Sequence, residues 1–95
     1  MKYAKAIKKL ADKYIQKYDN VKSAWDINNG LCEEFAKDFL KQNAQWADEF
    51  IIVCSEIFDE DLPGHIWLLE TWTGLHYDAE HPNGVAHYKE LSIFK

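Results

Sequence analysis

The spacing of apolar residues changes once along this chain, and that change limits what the chain can fold into. Before residue 50 they recur at steps of three and four, the rhythm of a helix that buries one face. Tyr3, Ile7, Leu10, Tyr14 and Tyr18 form such a stripe, with Lys5, Lys8, Lys9 and Lys13 outside it. A helix over 3–18 is predicted, ended by Asp19-Asn20. Residues 21–29 read as a connection in which Trp25 packs. Leu31, Phe35 and Phe39 make a second row, with Cys32, Ala36 and Leu40 beside it and Glu33, Glu34, Lys37, Asp38 and Lys41 on the wet side. That predicts a helix over 31–41, with Gly30 as N-cap and Glu33 reaching back to it.

From Phe50 the rhythm is lost. FIIVCSEIF is rich in β-branched and aromatic residues and reads as a strand. Asp59-Glu60-Asp61 is a solvated acidic loop near His65, closed by Leu62-Pro63-Gly64. HIWLLET then forms a second strand beginning at His65. Trp72-Thr73-Gly74 supplies a turn, with Trp72 an exposed contact at its tip, and LHYDA returns as a third strand. Pro82-Asn83-Gly84 ends it, and Tyr88, Leu91 and Phe94 fit one short terminal helix. The order implies an α+β fold: two N-terminal helices packed on one face of a small antiparallel sheet of about three strands.

Composition narrows the function classes. A chain of 95 residues makes one domain, 1–95, and its 47% apolar content argues for a packed globular core and against disorder. No apolar run approaches the ~20 residues of a membrane span, and the Lys-rich start lacks the apolar segment of a signal peptide. A cytoplasmic protein with no membrane partner is expected. Residues 1–22 carry seven lysines against Asp12 and Asp19, while the remainder holds four lysines against fourteen acids. The chain has no arginine, so bidentate grips on phosphate or guanine are absent and nucleic acid is not an expected partner. The lysine-rich face reads as solvated.

Cys32 and Cys54 share no CxxC spacing, and in a reducing compartment no disulfide is expected. Cys54, mid-strand, reads as core. Cys32 sits in the first turn of its helix, where the dipole favours a thiolate. Its activation then needs an imidazole. His65 opens a strand directly after a Pro-Gly break. If Thr71 to Gly74 form the hairpin loop, Glu70 pairs with Leu75, Trp67 faces Asp78, and His65 lies diagonally beside Asp78 on one face. A carboxylate there holds one ring nitrogen and frees the other for the thiol, the logic of a nucleophile–base–orienter triad. The plainer alternative makes Cys32 a buried helix residue beside Ala36. His76, His81 and His87 fit no metal-ligand spacing, so no metal and no cofactor is expected.

Gly30-Leu31-Cys32-Glu33-Glu34-Phe35-Ala36, then Gly64-His65-Ile66-Trp67, then Tyr77-Asp78-Ala79-Glu80 resembles the papain-like thiol hydrolase superfamily, and is most similar to its transglutaminase-like and NlpC/P60-like branches. HYDAEHPNGV also looks like small phage-encoded proteins. The resemblance implies a minimal papain-like core and a Cys-His-Asp triad with an acyl-enzyme intermediate. Cys32 would be the nucleophile, His65 the base and then acid, and Asp78 the orienter. It implies a peptidase, amidase or transglutaminase-like acyltransferase acting on a peptide or protein substrate. The family commonly has a Gln-like donor upstream of the cysteine. Here only Asn28 or Asn29 can replace it, with the Cys32 backbone N–H, while Asp26 opposes a developing negative charge. Trp25 and Trp67 are candidate walls of the substrate site. The alternative from the same resemblance is a catalytically idle binding protein, a phage-encoded acidic inhibitor of a host or defence complex.

Overall fold

The structure, a computed structural model, describes residues 2–95. Helices α1 (Ala4–Lys17), α2 (Ala24–Asn28) and α3 (Cys32–Gln42) come first, and a 3-10 segment, Ala44–Glu49, leads into the sheet. Strands β1 (Phe50–Cys54), β2 (Ile66–Glu70), β3 (His76–Asp78) and β4 (His81–Val85) form one antiparallel sheet in sequential order. The fold is α+β, as the sequence implies, with four strands where about three were expected. Among the described residues no helix is long and apolar enough to cross a membrane.

Alternation along the strands builds two layers of core. Phe50, Leu68 and Tyr77 point to the helices, where Ile7, Leu10, Tyr14, Phe35 and Phe39 close over them. Val53 and Trp67 point the other way, against Leu91 and the partly buried Tyr88 and Phe94 of the tail. The helix stripes expected from the sequence thus face one side of the sheet, and the tail covers the other. It does so with two 3-10 turns, Tyr88–Glu90 and Ser92–Phe94, instead of one helix.

The hairpin has the expected register. Leu68 faces Tyr77, Leu69 faces His76, and Glu70 donates its N–H to the Leu75 carbonyl across the Thr71–Gly74 loop. Trp72 stands 87% exposed at the tip. Pro82-Asn83-Gly84, in contrast, does not end the sheet but forms the middle of β4. An edge strand tolerates proline because its outer N–H has no partner to lose. Gly84 supplies φ +79°, and a bulge lies between His76 and Asp78. Three further expectations are corrected. The connection over 21–29 contains α2, on which Trp25 is 46% exposed instead of packed. The N-cap of α3 is Leu31, not Gly30, and no side chain caps it. Cys54, the last residue of β1, is half-buried because the sheet ends there.

Candidate functional site

Cys32 is the first residue of α3. The backbone N–H groups of a helix's first turn have no carbonyl within the helix to bond, so they leave positive potential around the start of the helix. The thiol faces a cavity of about 320 Å³ that is also lined by Gly64, His65 and Ile66. The helix mouth and the start of β2 therefore meet at one opening.

His65 precedes β2 and is held on every side. Its N–H donates to Ser55 Oγ at 3.2 Å, and its carbonyl accepts the Ser55 N–H at 2.9 Å. Trp67 stacks on the ring, with centroids 5.4 Å apart, and Phe94 meets it edge-on at 5.8 Å. The imidazole Nε2 lies 3.0 Å from Asp78 Oδ2, both side chains being almost wholly buried. Asp78 Oδ1 accepts the backbone N–H groups of Glu80 and His81, each at 3.0 Å. The carboxylate is thus fixed by its own turn and can accept only an Nε2–H from the ring. The other nitrogen, Nδ1, is buried and makes no hydrogen bond among the described residues.

Electrostatics join the thiol to this pair. Burial pushes the Cys32 thiol up, but the His65 imidazole and the Ile66 and Glu33 backbone N–H groups outweigh it, leaving the thiol below its ordinary value. Burial alone would pull His65 down. The hydrogen bond to Asp78 and the Cys32 sulfur reverse that and push it up to about 9. Both movements favour a thiolate beside an imidazolium, the pair that makes a cysteine nucleophilic near neutral pH.

Cys32, His65 and Asp78 are therefore brought together. The other candidates divide. Trp67 is buried and acts through its stacking on His65, and its Nε1–H is fixed on His76 Nδ1 at 2.9 Å. Asn28 is buried, and its amide donates to Glu80 Oε1 at 3.0 Å, bracing the turn that carries Asp78. Asn29 donates to the Trp25 carbonyl at 2.9 Å. Neither asparagine nor Trp25 lines the cavity, so they supply neither oxyanion donor nor wall there. His81 meets Ser92, and His87 caps the turn at Tyr88; among the described residues no cluster of His, Cys, Asp and Glu could hold a metal ion.

Sequence reasoning missed Ser55 and Phe94, which hold His65 in place, and also missed that Cys54, Glu56, Glu60 and Leu62 line the cavity. Only the closeness of Asp59-Glu60-Asp61 to His65 along the chain hinted at the last group. Comparison of the chain with family profiles, curated proteins and solved structures found no match.

Proposed function

We propose that this protein is a small cysteine hydrolase or acyltransferase working through Cys32, His65 and Asp78. One observation carries the reading: a buried imidazole spends Nε2 on a carboxylate and keeps Nδ1 unpaired among the described residues, while that histidine and a lowered thiol at a helix start line one cavity.

In this reading the Cys32 thiolate attacks an acyl carbon, forming a C–S bond as the carbonyl π electrons move onto oxygen. With no side-chain amide at the cavity, the oxyanion falls to first-turn backbone N–H groups, that of Cys32 foremost. The tetrahedral adduct collapses, the bond to the leaving group breaks, and the imidazolium gives its Nδ1 proton to that group. Water or an amine then attacks the thioester while Nδ1 takes its proton, and the thiolate departs. Asp78 keeps the ring in the orientation and tautomer this cycle needs.

The test uses iodoacetamide at mildly acidic pH, with the labelled residue read by mass spectrometry. Cys32 should alkylate much faster than Cys54. Equal, slow labelling of both thiols would overturn the enzyme reading and leave the idle binding protein in its place.

A further inference from the structure

We infer that the cavity beside Cys32 selects substrates carrying a cationic side chain, such as lysine, next to the reacting acyl group. This rests on the thiol-enzyme reading of the preceding subsection and specifies its substrate class.

Three features combine. First, Glu56 and Glu60 both line the cavity, and no lysine does; the His65 imidazolium there is already paired with Asp78. Among the described residues neither carboxylate forms a salt bridge; the lysine–carboxylate bridges there are Lys2 with Glu49 and Lys37 with Glu33. Second, no lysine occurs between Lys41 and Lys89, and the chain has no arginine, so the segment that builds the site carries neither residue to offset its carboxylates. Asp59 and Asp61, on the same exposed loop, deepen the negative potential. Third, His65, which also lines the cavity, has a buried side chain whose Nδ1 has no partner among the described residues. An unpaired polar nitrogen in such a place marks where an exchanging proton, and so a reacting group, belongs.

The remaining wall suits a long cationic side chain. Leu62 and Ile66 offer apolar contact to a methylene stem, while the two carboxylates take the charged head. A carboxylate-bearing substrate meets repulsion at the same place.

The experiment compares three affinity labels on the full chain: N-acetyl-lysyl, N-acetyl-norleucyl and N-acetyl-glutamyl chloromethyl ketones. In each the thiolate displaces chloride to form a C–S bond, and the side chain alone differs. At Cys32 the lysyl reagent should react about threefold to tenfold faster than the norleucyl one, the size expected of two solvent-exposed ion pairs. The glutamyl reagent should be the slowest. The lysyl advantage should shrink in high salt and approach unity in the Glu56→Gln/Glu60→Gln variant. Preference for Cys32 over Cys54 without a lysyl advantage, or an advantage that survives the double variant, overturns this proposal alone. If none of the three reagents prefers Cys32, the enzyme reading falls and this proposal with it.

Discussion

Replacing Asp78 with asparagine isolates what the carboxylate does for the thiol. The shape is nearly unchanged, and the asparagine oxygen can still accept the Glu80 and His81 N–H groups. The change falls on His65. Its rise from 6.5 to about 9 corresponds to roughly 3 kcal/mol of preference for the protonated ring, shared between Asp78 and the Cys32 sulfur. In the variant, burial again disfavours the charged ring, and the amide N–H donates to Nε2. The ring's one proton then moves to Nδ1, where a neutral imidazole cannot accept the thiol proton. Cys32 alkylation by iodoacetamide at about pH 6 should slow at least ~10-fold, a loss of about 1.4 kcal/mol and so less than half of that preference. The same linkage sets the pH dependence of stability. A folded His65 that holds its proton more tightly than the unfolded chain contributes stability that is fully present below about 6.5 and fades as pH rises through about 9. Urea titrations across this range should show the decline in the native protein and a flatter profile in Asp78→Asn. An alkylation rate within twofold of native, with the same pH profile, would refute the reasoning.

Gly84→Ala should cost about 2–4 kcal/mol in urea unfolding, because φ +79° strains any side chain and the new Cβ would lie 2.8 Å from the Tyr77 ring. That ring packs edge-on against Tyr3 and Phe50 and has no room to yield. Gly74→Ala, at φ +74° with no atom within 4 Å of the new Cβ, should cost only about 1 kcal/mol, and equal losses at the two sites would contradict the packing account. Trp67→Phe keeps a ring against His65 but leaves His76 Nδ1 buried without its donor, so a loss of about 1–3 kcal/mol is expected in the same assay.

The parts legible in the sequence are those set by local rules. Helical spacing placed α1 and α3 to within about a residue, since each stripe could be buried only one way. The hairpin register followed from counting across Thr71–Gly74, and with it the closeness of His65 and Asp78. What escaped was decided by distant packing. Pro82-Asn83-Gly84 has turn chemistry, yet it forms a strand because the sheet ends there and a bulge absorbs the glycine. Cys54 has a strand residue's neighbours in sequence, but only the length of β1 decides that its sulfur meets a cavity. Asn28 and Asn29 lay upstream of the cysteine as a donor should, and a five-residue helix turned one to Glu80 and the other to the Trp25 carbonyl.

His65 and Asp78 are joined by a short hairpin, whereas Cys32 reaches them from a different helix across a long stretch of chain. The imidazole–carboxylate pair therefore belongs to the sheet, and the sulfur joins it only when the mouth of α3 seats against the start of β2. Without that seating Cys32 loses the imidazole and backbone N–H groups that lower its thiol. Its labelling rate can then serve as a built-in gauge of whether that helix is docked.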